Sequence, residues 1–443
     1  MKTREYRKHQ AQTRACAQIV EHLLDHVLVR RRPADRELSS FLRRNRHFGS
    51  RDRRLISETV FSVFRWWGWI RPWAPDTAAA ENPEDWTPLL LAAHLLETAS
   101  LPPAADLWAE AGGQDPRRLL RWEPAENPLA RFRDARRLLP ETESPDTPKL
   151  RDLIPPWTLA ETAGTTPPET LIRWLQNRPP MWLRAQQTDP RLLARTLADA
   201  GIPVHPHERL HNALNAGITR VNLYDLEPFR RGAFEIQDLA SQATGHICGA
   251  EPGQRWWDAC AGAGGKTLLL ADHMNGKGSL LATDIREKKL LNLRRRARRG
   301  GFHNIRTGRW DGRPPESGPR QSFDGVLVDA PCSCSGTWRR NPDARWRRTP
   351  ADLPEMAELQ QTLLNGAADG VRPGGALIYA TCSLFVRENE YVVHRFLQQH
   401  PRFRLEPFAH PLTGTPTRGT VQIWPWEGDC DAMFAARMRR TEE

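Results

Sequence analysis

The sequence predicts a doubly wound α/β domain in its C-terminal half, preceded by an all-helical domain. Three observations carry this expectation. Beyond about residue 250, short β-rich apolar runs alternate with helical segments, the pattern of a mostly parallel sheet. Before about residue 70 the apolar residues recur at helical spacing instead. Between these regions proline recurs every few residues, and at 443 residues the chain is too long for one typical domain.

Taken in order, Cys16, Ile19, Val20, Leu23, Leu24 and Val27 fall on one helical face, and Pro33 ends that segment. Ser50 is the expected N-cap of a second run carrying Leu55, Ile56, Val60, Phe61 and Phe64. Residues 72–158 hold short helical patterns such as 89–96 between prolines, and a linker closes at Pro155-Pro156. A helix at 171–175, a strand at 181–185 and a helix at 192–200 make a small α/β connector. Strands are expected at 256–260, 279–283, 323–329 and 376–381, with helices near 266–274, 287–299, 353–368 and 387–399. The expected domains are therefore a helical domain at 1–150, linker and connector at 151–230, and the α/β domain at 231–443. In such a sheet ligands bind at the carboxyl ends of the strands.

Hydrophobic residues make up 39 %, enough for real cores, so the excess of 64 Lys and Arg over 53 acids is not that of a disordered polycation. A net charge of +11 favours an anionic polymer as partner, because clustered cations release counterions from phosphates. Seven cysteines in so long a chain do not form a disulfide framework. The start carries no apolar leader, and the most apolar stretch, 88–96, is too short to span a bilayer. The expectation is a cytoplasmic protein with reduced thiols and no membrane partner.

Three motifs bear chemistry. DACAGAGGKT (258–267) follows a strand and opens a helix, with Gly262, Gly264 and Gly265 at the turn. Glycine there lets backbone approach a ligand, and the helix start offers unpaired N–H groups. A lone glycine-rich turn is more often only a turn, but Asp284 closes the next strand, where a carboxylate accepts both hydroxyls of a ribose. Neither GxGxxG nor P-loop spacing is present, so a nucleoside without pyrophosphate fits better. Asp311, in RWDGR, reads either as an acceptor for an adenine amine or as an acid of a surface loop. The second motif, VDAPCSCSG (328–336), sets Asp329 and Cys332 at a strand end, and the third, YATCSLFVRENE (379–390), sets Cys382 at another. A single cysteine is usually buried structure; two at neighbouring strand ends are not. No histidine or second cysteine pair gives Cys332-x-Cys334 zinc spacing, so no metal is expected and Cys334 reads as incidental.

DACAGAGGKT, DAPCSCSGTWRRNPD and YATCSLFVRENE, with FEIQDLASQ at 234–242, resemble the motif set of the NOL1/NOP2/Sun family of RNA cytosine-C5 methyltransferases over roughly 180–438. The resemblance implies a Rossmann-like class I methyltransferase domain that binds S-adenosyl-L-methionine. It implies Cys382 as nucleophile, Cys332 as the residue assisting product release and Asp329 at the cytosine ring. It implies cofactor contacts from Cys260, Ala261, Gly262, Ala263, Gly264, Gly265, Lys266, Asp284, Asp311 and Asp329. The chemistry suits such a pair: carbon 5 of cytosine is a poor nucleophile until a thiolate adds at carbon 6 and makes an enamine. DNA cytosine methyltransferases differ, their nucleophile lying in the Pro-Cys motif. The cofactor loop departs from the family's usual CAAPGGK at Gly262 and Ala263; Cys334 and Gln186 stand where Gly and Asn are common.

The N-terminal third, through SRDRRLISETVFSVFRW (50–66), is similar to the NusB-like RNA-binding domain of the bacterial Sun-type 16S ribosomal RNA enzymes. Arg339, Arg340, Arg345, Arg347 and Arg348, interleaved with Trp338 and Trp346, are expected to contact single-stranded RNA by phosphate pairing and stacking. The cations crowding 286–299 read as a solvated face. The expected protein is a monomer acting on a single-stranded or loop cytosine of ribosomal RNA. The alternatives are a tRNA methyltransferase, a catalytically idle RNA-binding assembly factor, and a methyltransferase for protein or small molecules. Intact Asp329, Cys332 and Cys382 oppose the idle factor; the basic segments oppose the last.

Overall fold

The computed structural model describes residues 3–76, 82–97, 101–123, 125–142, 148–162, 164, 167–219, 221–313 and 322–442. The chain divides into two compact units: 1–160, 164–177 and 341–349 form one, and 161–163, 178–340 and 350–443 form the other.

The first unit is all helical. Thr3–Leu24 buries Cys16, Ile19, Val20 and Leu23, and its end widens into a π-helical turn, Asp25–Val29, that buries Val27. Pro33, whose ring fixes φ near the helical value, opens Ala34–Arg44. The next helix is Ser50–Ile70, so Gly49 and not Ser50 is the N-cap, its N–H donating to the Asp52 carboxylate at 3.1 Å. Thr87–Glu97 is apolar on every side and wholly internal, as such a helix must be. Arg65 Nε and Trp66 Nε1 close over its end, donating to Glu97 at 3.1 and 2.9 Å. Residues 77–81, 98–100, 124 and 143–147 of the proline-rich stretch lie outside the described residues.

The second unit contains two sheets. Trp182–Ala185 (β1), His205–Pro206 (β2), Ala213–Asn215 (β3) and Phe234–Ile236 (β4) form a small antiparallel sheet in the order β2-β3-β1-β4, beside the helix Pro190–Asp199. The large sheet contains Arg255–Asp258 (β5), Ser279–Thr283 (β6), Ile305–Gly308 (β7), Phe323–Asp329 (β8), Val371–Thr381 (β9), Phe403–Leu405 (β10), Thr420–Ile423 (β11) and Met433–Arg440 (β12). Its order is β10-β12-β9-β8-β5-β6-β7, with β11 also on β12. Strands β5 to β9 run parallel; β10, β11 and β12 are antiparallel additions. From β5 the chain winds outward through β6 and β7, then returns to the other side of β5 as β8. This reversal opens a crevice at the carboxyl ends of β5 and β8. Separate apolar layers cover the sheet, one around Val326, Val328 and Tyr379, the other around Leu268, Leu327 and Ile378.

The boundaries differ from those expected at 150 and 230. The helical unit runs on to 177 and takes in 341–349, while the connector sheet ends at Ile236 and belongs with the α/β unit. Among the described residues no helix is long and apolar enough to cross a membrane.

Candidate active site

The chain after β5 turns sharply at Gly262 (φ 55°) and Gly264 (φ 90°), both in the left-handed region that suits glycine. A Cβ on Gly264 would meet Leu293 at 2.6 Å, so that position is closed to other residues twice over. The helix Gly265–His273 then begins, with Gly264 as N-cap and no side-chain cap hydrogen bond on its first N–H groups. Ala259 N–H donates to Leu327 O and Ala261 N–H to Thr283 O, each at 2.8 Å, tying the turn to the strands on either side.

Asp284, just past β6, is 5 % exposed; one carboxylate oxygen accepts from Gly262 N–H at 3.0 Å, and Arg286 spans both oxygens at 3.0 and 3.1 Å. Burial works against its charge, but the Arg286 hydrogen bonds and the Gly262 N–H outweigh it and hold the carboxyl below its ordinary range. Asp311 lies in the loop after β7, exposed and paired with Arg313. Lys266 is buried, its Nζ 2.8 Å from Asp329 Oδ2; Asp329 outweighs the cost of burying the ammonium, so its pKa is raised.

Beneath the turn, Asp258 accepts from Thr267 Oγ1 at 2.6 Å, while its other oxygen has no hydrogen-bond partner. Burial pushes this carboxyl up to about 7 from an ordinary 3.8. A folded-state pKa raised in this way contributes stability that is full below about pH 4 and lost as pH climbs through about 7. Asp258→Asn is therefore expected to flatten the fall of denaturation free energy between those pH values. Asp431, also raised to about 7 by burial, keeps part of the slope. An unchanged slope in the variant would show that Asp258 ionises freely in the folded protein.

The two cysteines meet. Ala330 N–H donates to Ala380 O at 2.9 Å, locking the ends of β8 and β9, and the sulfurs of Cys332 and Cys382 lie 3.4 Å apart. Cys332 is buried and Cys382 half-buried. Its hydrogen bonds to Cys334 and Cys382, with burial, push the Cys332 thiol well up. At Cys382 the hydrogen bond from Cys332 favours the thiolate, yet Cys334 and burial still hold it protonated. Gly336 brings the two loops together: its N–H donates to Cys382 O at 2.9 Å, and a Cβ there would strike Ala432 O at 2.2 Å.

Two features escaped the sequence reading. Glu388, fully buried, accepts from Ser333 N–H at 2.8 Å, Ser383 Oγ at 2.5 Å and Gln360 Nε2 at 3.0 Å, so one carboxylate braces both cysteine loops. Its place within YATCSLFVRENE was the available signal. Cys334, read as incidental, has its sulfur within 4.8 Å of both other thiols. It sits at φ 60°, a conformation that costs an L-residue about 1–2 kcal/mol. The third thiol of this group comes from the end of β9, not from the neighbouring sequence.

A family model described as 16S rRNA methyltransferase RsmB/F matches residues 247–439. The probable ribosomal RNA small subunit methyltransferase B of Synechocystis sp. is 33 % identical over 299 residues, 65 % of this chain and 67 % of that protein. Its counterpart from Citrobacter koseri is 33 % identical over 300 residues, 66 % of this chain and 68 % of that protein. The chain belongs to the 16S rRNA methyltransferase RsmB/F family. The NOL1/NOP2/Sun resemblance is thereby established. The crystal structure of PH0851 has a TM-score of 0.75 at 23 % identity, covering 97 % of this chain and 98 % of its own. NSun6 from Pyrococcus horikoshii, solved with SFG, gives 0.56 at 19 % identity over 62 % and 94 %. At these identities the likeness concerns the fold.

Within the RsmB/F match, Asp258, Asp284, Asp329, Cys332 and Cys382 share the carboxyl edge of one sheet. Of the expected RNA-contacting arginines, Arg339 and Arg345 are buried and Arg340 is held in ion pairs. Arg339 is 1 % exposed and donates to Cys430 O and Asp429; Arg340 is clamped by Asp238 at 2.6 Å and Asp431 at 2.8 Å. Arg345 is fully buried inside the helical unit. Trp338 is buried as well, and Trp346 donates to Phe64 O at 2.7 Å. Alternating Arg and Trp marked a packed segment, in which the guanidinium groups of Arg339, Arg340, Arg345 and Arg347 each found a carboxylate or carbonyl. A group of exposed cations, Arg286, Lys288, Lys289, Arg294, Arg295 and Arg298, lies on or beside the helix Glu287–Arg299.

Proposed function

We propose that this protein transfers a methyl group from S-adenosylmethionine to carbon 5 of a cytosine in RNA, through a covalent adduct of Cys382. The observation that carries this reading is the pair of sulfurs 3.4 Å apart, across two neighbouring strand ends and beside Asp329. The names of the relatives point to small-subunit ribosomal RNA as substrate.

The turn fits the cofactor. Open space lies beyond Gly262, and the buried Asp258 oxygen without a partner, with Asp284 nearby, suits a ligand bearing cationic and hydroxyl groups. Ribose hydroxyls at Asp284 would replace the side-chain bonds of Arg286, whose own side chain is 60 % exposed and free to swing out. When bound, the cofactor supplies an electrophilic methyl group on a sulfonium. The thiolate of Cys382 adds to carbon 6 of the ring, and carbon 5 gains the electron density to attack. Asp329, anchored by Lys266, steadies the ring at N3. Cys332 then serves the last stage, in which the carbon 5 proton leaves and the bond from carbon 6 to Cys382 breaks. Phosphates are met by the exposed cations of Glu287–Arg299, not by the buried Arg339 and Arg345 or the ion-paired Arg340.

Incubating the protein with labelled cofactor and small-subunit ribosomal RNA, then mapping the label, tests the reading. Label on carbon 5 of a cytosine is the expected result; label elsewhere, or on protein, overturns it. Asp284→Ala should weaken cofactor binding by about 1.5–3 kcal/mol, the range for hydrogen bonds to charged groups. Calorimetry showing equal affinity would remove Asp284 from the cofactor site.

A further inference from the structure

The proposed methyl transfer uses two thiols, and a third, that of Cys334, lies beside them. We propose that Cys332, Cys334 and Cys382 together form a site for one thiophilic d10 cation of the zinc class, and that its occupation shuts off attack on RNA. The three sulfurs all lie within 4.8 Å of one another, and the closest pair is 3.4 Å apart. A tetrahedral ion with metal–sulfur bonds of about 2.3 Å needs sulfurs roughly 3.8 Å apart, so small thiol rotations complete the set. The sulfurs come from two strand ends, and the left-handed backbone at Cys334 folds its thiol back to within 3.5 Å of the Cys332 carbonyl.

Access and charge also fit. Cys334 and Cys382 are half-buried, so the cluster opens to solvent on one side and leaves the fourth position to water. Binding breaks three S–H bonds, forms three metal–sulfur bonds and releases three protons to solvent; no electrons are transferred. A divalent ion with three thiolates carries one net negative charge, and the Lys266 ammonium interacts with Cys382 to offset it. Bound in this way, neither catalytic thiol is available to a cytosine. The site rests on the three sulfurs alone; only its inhibitory consequence rests on the proposed methylation.

Titrating the full-length protein with Cd²⁺, without RNA or cofactor, tests the site through the sulfur-to-metal charge-transfer band. One equivalent should bind, and Zn²⁺ in excess should compete with it for the site. Cys334→Gly keeps a residue suited to φ 60° and is expected to melt no lower than the parent. This variant should bind Cd²⁺ about tenfold more weakly or worse, with a weaker band, because one of three ligands is gone. Zn²⁺ should inhibit methyl transfer by the parent far more than by Cys334→Gly, each measured against its own metal-free rate. No band in the parent, equal band and affinity in Cys334→Gly, or equal inhibition of both proteins would overturn the proposal. The absorbance needs no substrate, so a protein that failed to methylate cytosine would still report the metal site.

Discussion

Cys382→Ala should abolish methyl transfer and form no covalent complex, whereas Cys332→Ala should accumulate a protein–RNA adduct that survives a denaturing gel. The expected loss in turnover is on the order of 10⁴-fold or more for either variant, the scale seen when a nucleophile or its essential partner is removed. The two differ because their tasks fall on opposite sides of methyl transfer. Without Cys382 no enamine forms; without Cys332 attack and transfer proceed, but the adduct is not resolved. The geometry adds a second expectation. Cys332 is the hydrogen-bond partner that favours the Cys382 thiolate, so its loss removes that help and the trapped adduct should form more slowly than the parent's first turnover. Raising pH should restore part of that rate, since more Cys382 then ionises. The reverse pattern, adduct in Cys382→Ala and none in Cys332→Ala, would give Cys332 the role of nucleophile. Activity falling only in step with folded protein would make both cysteines structural.

Much of the α/β unit was legible because its parallel strands are buried on both faces and read as unbroken apolar runs. Ser279–Thr283, Phe323–Asp329 and Glu287–Arg299 fall where the pattern put them. The late strands were not legible. Met433–Arg440 ends in Arg437, Met438, Arg439 and Arg440, which masks it as a surface segment. Arg437 and Arg439 are neutralised by Glu406, a residue distant in sequence, and Arg440 donates to Val371 O at 2.7 Å. Ile305–Gly308 is four residues long and partly exposed, too brief for a periodic signal. In the site, the strand-end position of each proposed catalytic residue was readable from local motifs. What surrounds them was not: the brace at Glu388 and the third thiol depend on two loops meeting, which spacing along one chain does not encode.

The same limitation misread Arg345, and its replacement separates the two accounts of that segment. Its Nη1 donates to Leu153 O at 2.9 Å and its Nη2 to Leu175 O at 3.0 Å, both within the helical unit. Burial, reinforced by the nearby charge of Arg65, pulls its pKa down to about 9. Two effects oppose each other in Arg345→Ala. Removing a buried charge relieves its desolvation, but it leaves carbonyls unpaired at about 1–3 kcal/mol each and opens a cavity the size of a long side chain. Two or more orphaned carbonyls plus the cavity outweigh the relief, so a net loss of about 2–4 kcal/mol is expected. Arg345→Lys should recover only part of it, because one ammonium cannot reproduce the guanidinium fork that reaches both carbonyls. Measured well below melting, the affinity of the folded alanine variant for RNA should equal the parent's, while its thermal unfolding begins several degrees lower. Unchanged unfolding with weakened RNA binding would return Arg345 to the RNA-contacting surface that its sequence setting implied.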